Sequence, residues 1–267
     1  MLRTRILTAL VLLPLMIGAL FFLPEPGWAA FAWLITAVGL WEWGRFFRFS
    51  AWQHVLLTGG ASALAGWMWL TGWQPEAFVQ VSVLVLWLAV APLWLKFRWT
   101  LQHKLAGAFL GLWLLLPLWL ALLEWRPSPQ AAWQLLALMA LVWVADTAAY
   151  FSGKAFGRHK LAPAVSPGKS WEGVYGALIA VGGYALLVRA SGIFPFSSAP
   201  VWVWLVGTWL LTAVSIVGDL LESWFKRMAG MKDSSQLLPG HGGVLDRIDS
   251  LIAMLAVASA VRYFAGA

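Results

Sequence analysis

An all-α, polytopic integral membrane protein with about nine transmembrane helices and a cytoplasmic N-terminus is what this 267-residue sequence predicts. Three observations carry that expectation. The chain is 61% hydrophobic and 11% charged, with a mean hydropathy of +0.79, whereas soluble domains are about half apolar and about a quarter charged. Apolar runs close to the ~20 residues needed to cross a bilayer recur along its length. Its eighteen Lys and Arg also divide unevenly between alternate connections: only Arg126, Arg189 and Arg262 fall on one side, and all the others on the opposite side. The positive-inside rule places the richer side, with the N-terminus, in the cytoplasm. Topology therefore explains the formal charge of +7, and nucleic acid is excluded as a partner. The absence of cysteine removes disulfides, thiolate zinc sites and cysteine nucleophiles together.

The first apolar run, Ile6 to Leu23, follows Arg3 and Arg5. It exceeds the roughly 7–15 residues of a signal-peptide core, and Trp28 to Trp33 stays apolar past the small-x-small Ala30-Phe31-Ala32. It reads as a retained helix, with Pro14 as a bend point. Eight further spans are expected at about 27–44, 54–73, 77–95, 104–123, 131–151, 173–192, 200–222 and 246–264. Pro24-Glu25-Pro26-Gly27, Gln74-Pro75-Glu76 and Arg126-Pro127-Ser128-Pro129 are turns by their chemistry. Gly107 and Gly111 form a GxxxG, a helix-contact signal that is weak by itself.

Acidic residues subdivide the chain. Glu25, Glu76 and Glu124 lie in external turns, whereas Asp146, Glu172, Asp219, Glu222, Asp233, Asp246 and Asp249 gather in the second half beside the cytoplasmic face. Residues 1–125 therefore read as a five-helix scaffold. Residues 126–267 read as a catalytic half of four helices, with cytoplasmic loops at 152–172 and 223–245.

Asp219 follows the apolar run Leu210 to Gly218, where an unpaired carboxylate costs about 2.5–3.5 kcal/mol on insertion scales. Snorkelling or pairing with a lysine is the plain explanation, and function is the default one for polar residues at that depth. Asp246 and Asp249 sit at i, i+3 in a first helical turn. Ordinary N-terminal chemistry accounts for either alone. Together with Asp219 they suit a hard cation such as Mg²⁺, which uses one or two carboxylates plus phosphate and water. Pro239-Gly240-His241-Gly242-Gly243 is either a plain turn or an anion cradle of backbone amides. Lys154, Arg158, Lys160 and Lys169 fit a headgroup-facing loop, yet Asp146 and Tyr150 lead into it at i, i+4 spacing from within an apolar run.

The run Ser223-x-Phe225-Lys226-Arg227, Lys232-Asp233, Leu238-Pro239-x-His241-Gly242-Gly243-Val244-x-Asp246-Arg247-x-Asp249 resembles the signature of the phosphatidate cytidylyltransferases, the CDP-diacylglycerol synthases. Upstream, Asp146-Thr147-x-Ala149-Tyr150, Gly153, Phe156-Gly157 and Ser166-Pro167-x-Lys169-Ser170-Trp171-Glu172-Gly173 also resemble that family, with Gly168 and Ser170 where lysine and threonine are expected. The likeness covers roughly residues 140–250. It implies Mg²⁺-dependent, direct transfer of a cytidylyl group from CTP to phosphatidate at the cytoplasmic face of a bacterial inner membrane. Lys226, Arg227, His241, Asp246 and Arg247 are then expected in catalysis. Tyr150, Ser166, Lys169, Ser223, Lys232, Gly242 and Gly243 are expected at the substrates, and Asp146, Asp219, Asp246 and Asp249 at the metal. CTP, phosphatidate and the bilayer are the expected partners, and a homodimer is admitted. An ion-coupled transporter is the alternative, but it needs polar residues through the full membrane depth. A CDP-alcohol phosphotransferase fails by inspection, because no aspartate here is followed by glycine.

Overall fold

The computed structural model describes residues 2–266, without the side chains of Leu2, Arg3 and Arg5, so the two N-terminal arginines counted toward topology lie outside the described side chains. The helices are α1 (Leu2–Phe22), α2 (Glu25–Phe46), α3 (Ala51–Thr71), α4 (Ala77–Val85), α5 (Ala91–Phe97), α6 (Lys104–Glu124), α7 (Ala132–Phe156), α8 (Trp171–Ser191), α9 (Val201–Met228) and α10 (Leu245–Ala265). A π-helical turn, Leu86–Val90, joins α4 and α5 into one rod. Six segments among the described residues are long and apolar enough to cross a membrane: Ala77–Phe97, Lys104–Glu124, Pro129–Phe156, Trp171–Ser191, Val201–Met228 and Leu245–Ala265. α1 adds the shorter apolar stretch Ile6–Phe22. Pro14 lies inside α1 without interrupting it.

Helix boundaries follow local chemistry. Pro26 sits in the first turn of α2, where its missing N–H costs nothing. Ser50 and Gln53 form a reciprocal capping box on α3, and Gly72 and Gly192 close α3 and α8 in the left-handed conformation. Two expectations need correction. The loop at 152–172 is not all helix and coil: β1 (Lys160–Ala162) and β2 (Ser166–Ser170) pair antiparallel there. The chain beyond residue 222 is not yet loop either, because α9 continues to Met228 and carries Ser223, Lys226 and Arg227 on its last turns. Loss of hydrophobicity marks where a helix leaves the apolar layer, and backbone hydrogen bonding carries it further.

α10 is the central post. Every residue from Leu251 to Ala260 is buried, and the helix packs against α9, α6, α4, α2 and α7. Its alanines and serines let neighbouring backbones approach closely, the usual basis of helix association in lipid. The GxxxG of α6 is used in the same way. A Cβ added at Gly107 would meet the Phe47 ring at 2.5 Å, and one at Gly111 would strike Trp43.

The 21 tryptophans, too many for interface belts alone, have a structural role. Indole N–H groups donate to main-chain carbonyls of other elements: Trp28 to Leu122 (3.0 Å), Trp119 to Ala29 (3.2 Å), Trp43 to Gly107 (2.8 Å), Trp209 to Leu178 (3.0 Å) and Trp224 to Trp99 (2.8 Å). Each is a rigid strut between segments, worth on average about 0.6 kcal/mol in a membrane.

Candidate active site

The first turn of α10 leaves backbone amides without intrahelical acceptors, and a residue from the far end of the sequence supplies them. Glu42, fully buried near the C-terminal end of α2, accepts from the amides of Val244 (3.0 Å) and Leu245 (2.6 Å). It also accepts from the hydroxyls of Ser235 (2.5 Å) and Ser234 (3.1 Å). The Arg45 guanidinium, one turn on, donates to the Ser234 carbonyl. A carboxylate at a helix N-terminus also meets the positive end of the macrodipole, so α2 fixes both the loop and the start of α10.

Asp246 closes the loop from the other side. Its Oδ2 accepts from the Gly243 amide (2.7 Å), the Ser234 amide (2.9 Å) and the Ser234 hydroxyl (2.9 Å). A Cβ on Gly242, at φ +86°, would lie 2.7 Å from that oxygen. The remaining oxygen, Oδ1, accepts from Lys226 Nζ at 2.6 Å, and Lys226 also pairs with Glu222 one turn earlier on α9. All three of these charged side chains are buried. Beneath them Phe225 packs on Trp43 (4.7 Å) and Trp94 (5.6 Å), fixing the end of α9 against α2 and α5.

A second pair lies alongside. Lys169, on β2, contacts Asp219 at 2.5 Å, and Ser223 donates to the same carboxylate at 3.2 Å. Asp249 accepts from the Ser250 amide at 2.7 Å and lies within electrostatic reach of Asp219, Lys169 and Lys226. Asp146 stands within reach of Asp219, Lys169 and Arg247. α9 and α10 approach closely here, since a Cβ on Gly218 would sit 2.7 Å from the Asp249 carbonyl oxygen.

The structure thus brings Asp146, Lys169, Asp219, Ser223, Lys226, Asp246, Arg247 and Asp249 to one end of the bundle and adds Glu222. The other residues singled out from sequence stand differently. Tyr150 is exposed, with Lys154 Nζ 5.8 Å over its ring. Ser166 is half-buried on β2, and Lys232 and Asp233 are exposed on the loop. Arg227 is exposed and donates to the carbonyls of Val165 (3.3 Å) and Met231 (3.4 Å), linking α9 to the hairpin and loop. His241 is half-buried, and its Nδ1 has no hydrogen-bond partner. The Gly243 amide, expected at a phosphate, is taken by Asp246.

Glu42 is not among the residues singled out from the sequence. The signal was present: it is a carboxylate inside an apolar run, flanked by Trp41 and Trp43, and the rule that flagged Asp146 applies equally to it.

No three acidic or imidazole groups among the described residues converge into a ready-made metal cage. The donor chemistry nevertheless fits a hard cation. Asp146, Asp219, Glu222, Asp246 and Asp249 outnumber Lys169, Lys226 and Arg247, so the cluster holds more oxygen donors than cations to pair with them. Both Glu222 oxygens are buried without a well-oriented donor. A void of about 10 Å³ beside Gly218, Glu222 and Asp249 is walled mostly by Trp43, Trp87, Leu114, Leu115, Leu245 and Ile252, so it is an apolar packing gap and not the ion's seat.

Residues 3–265 match the model of the cytidylyltransferase family. The chain is 44% identical over 273 residues to the phosphatidate cytidylyltransferase of Pseudomonas aeruginosa, covering 100% of this chain and 98% of that protein. It is 38% identical to the protein of the same name from Haemophilus influenzae, covering 99% of each. It is 37% identical to that from Brucella suis, covering 100% of this chain and 93% of that protein.

Proposed function

The chain belongs to the phosphatidate cytidylyltransferase family of nucleotidyltransferases, and from that premise we propose that it joins the cytidylyl group of CTP to phosphatidate, releasing pyrophosphate and leaving CDP-diacylglycerol in the membrane. The observation that carries the reading is the cluster of carboxylates and lysines at one end of a membrane-embedded bundle. There a water-borne triphosphate and a lipid phosphate can meet.

A phosphate oxygen of phosphatidate attacks the α-phosphorus of CTP, and the bond from that phosphorus to the β-phosphate oxygen breaks. The nucleophile is already largely ionised at neutral pH, so no strong general base is required. What the protein supplies is positioning and charge compensation, the main sources of catalysis in phosphoryl transfer. Lys169 and Lys226 contact carboxylates at the site, and their ammoniums can turn to phosphate oxygens as substrate arrives. Arg247 is exposed beside Asp146 and offers a bidentate grip. Asp219 and Asp249, with Asp146 beside them, would hold Mg²⁺. Asp246 would be a further ligand through Oδ1, the oxygen that Lys226 holds here. The bound ion would neutralise the triphosphate and the leaving pyrophosphate. Glu42, Ser234 and Ser235 keep the start of α10 fixed while charges rearrange around it.

In this reading all nine helical rods cross the membrane, with the N-terminus and the charged end in the cytoplasm. The asymmetry of basic residues supports it. A reporter inserted near Ser235 should score as cytoplasmic, and one at the C-terminus as external. Both on one side would overturn the topology.

The activity test uses purified protein, radiolabelled CTP and phosphatidate in mixed micelles. Labelled CDP-diacylglycerol should form with Mg²⁺, disappear with excess chelator, and return on adding Mg²⁺ but poorly with Ca²⁺, whose longer and looser coordination misplaces phosphates. Full turnover in excess chelator would remove the metal from the mechanism. No labelled lipid from well-folded protein with Mg²⁺ would remove the substrate assignment.

A further inference from the structure

Between α7 and α8 the chain makes a detour that carries one functional side chain. The β1–β2 hairpin leaves α7 at Phe156 and rejoins α8 at Trp171, and on the way it sets Lys169 against the Asp219 carboxylate of α9 at 2.5 Å. Little within the hairpin holds its shape. Its register pairs Lys160 with Ser170 and Ala162 with Ser166, two residues of β1 against four of β2, so the ladder is interrupted. Pro167 has no N–H to give to it, and two strands alone are marginal in water. The outer end meets α9 through Arg227, which donates to the Val165 carbonyl at 3.3 Å. The foot closes on Glu172, in the first turn of α8. Both oxygens of its carboxylate accept from the His159 amide at 3.2 Å, and Oε1 also accepts from His159 Nδ1 at 2.6 Å. The His159 carbonyl in turn accepts from the Trp171 amide at 2.9 Å.

A carboxylate in a first helical turn ordinarily serves the helix itself, as a cap or through the macrodipole. Here the cap is Ser170, whose hydroxyl accepts from the Gly173 amide at 3.2 Å. Close packing locks α8 to α7 just beyond it: a Cβ on Gly173 would lie 2.9 Å from the Ala149 carbonyl oxygen, and one on Gly176 would strike Ser152. The start of α8 is therefore set without Glu172, whose carboxylate is directed at the strand entering the hairpin. Lys169 lies three residues before Glu172, so the foot of the hairpin decides where the lysine stands. We propose that Glu172 is a positioning residue: its contact with His159 latches the hairpin so that Lys169 faces the site, where it would meet a phosphate of CTP. The ligand of Lys169 rests on the catalytic reading, and the latch rests on the hairpin geometry alone. His159 is exposed and Glu172 half-buried, and ion pairs in such places add little to global stability. Losing this one should displace Lys169 and leave the bundle folded.

Steady-state kinetics with CTP and amide hydrogen exchange, both on the full chain in phosphatidate micelles, test it together. Glu172→Ala should raise KM for CTP about tenfold while kcat changes less than about threefold, the pattern of lost binding without lost chemistry. His159→Ala removes the imidazole half of the contact without touching α8, and should raise KM about threefold. His159→Asn, whose side-chain amide can donate in place of Nδ1, should bring KM back close to the native value. In a double-mutant cycle Glu172→Ala should add nothing to the KM of Lys169→Ala, because it acts through that lysine. Multiplication of the two effects would overturn the positioning role, as would a native KM in Glu172→Ala. Amide exchange across 160–170 should quicken in Glu172→Ala while α7 and α8 exchange as in the native protein. Unchanged exchange there would overturn the latch whatever the kinetics. A native protein that forms no CDP-diacylglycerol would overturn the catalytic reading and the role of Lys169 with it, and the exchange measurement would still decide the latch.

Discussion

The two ends of the helix bundle both bury cations, and they treat them differently. At the far end arginines grip backbone carbonyls: Arg126 holds Leu20 and Leu23, and Arg189 holds Ala199 at 3.1 Å. At the charged end lysines grip carboxylates: Lys226 holds Glu222 and Asp246, and Lys169 holds Asp219. A carbonyl of the main chain has nowhere to go, so an arginine on it is a fixed strut. A lysine on a carboxylate is not so fixed, and in the proposed reaction it would exchange its partner for a phosphate oxygen while the carboxylate would take a metal ion. Arg45 and Arg227 show that the rule is about partners and not location, since both sit at the charged end yet hold the carbonyls of Ser234 and Val165. The looser 3.7 Å pair of Arg262 with Glu124 is the far end's ionic contact.

The strongest test of this contrast removes charge from the exchangeable carboxylates. Asp219→Asn and Asp249→Asn should each lower the initial rate at saturating Mg²⁺ by at least ~100-fold, about 2.7 kcal/mol of transition-state stabilisation. Asp246→Asn should match that loss and also lower thermal stability, because four protein donors depend on its oxygens. Near-normal rates in well-folded Asp219→Asn would show it to be only a structural partner of Lys169 and Ser223 and not a metal ligand.

Glu42→Gln probes a carboxylate that is fixed and not exchangeable. The amide keeps one accepting oxygen but turns an NH₂ toward donors, and each stranded amide costs about 1–3 kcal/mol. Stability should fall by that order, and the rate by about 10-fold through misplacement of α10. An unchanged melting temperature with a large loss of Mg²⁺ affinity would move Glu42 among the metal ligands. Smaller still, Asp233→Asn should cost no more than a few-fold in rate, as its side chain is exposed on the loop. Arg189→Gln should leave the rate untouched and lower stability by about 1 kcal/mol, the worth of one hydrogen bond. A rate loss there would break the division between fixed and exchangeable cations.

Much of the molecule was legible in sequence because it depends on local properties. Hydrophobic run length locates the helical rods to within a few residues, except at 223–228 and 152–156, where polar residues end the apolar run although the helices continue through them. The β-hairpin was missed because Ser166-Pro167-Gly168-Lys169-Ser170 lacks the β-branched and aromatic alternation that announces strands. The GxxxG of α6 could be seen, but not that aromatic rings fill its groove.

By itself the sequence determined the membrane class, the helical content, the family and the confinement of every aspartate to 140–250, for these follow from composition and spacing. Only the tertiary structure decided which charges meet. Glu42 reaches Ser234 and Ser235 across some 190 residues, Lys226 lies between Glu222 and Asp246, and the Gly243 amide faces a carboxylate. Those pairings rest on the rotation and depth of each helix against its neighbours. Glycine and alanine contacts spread over the whole bundle set those angles, and no single stretch of sequence contains them.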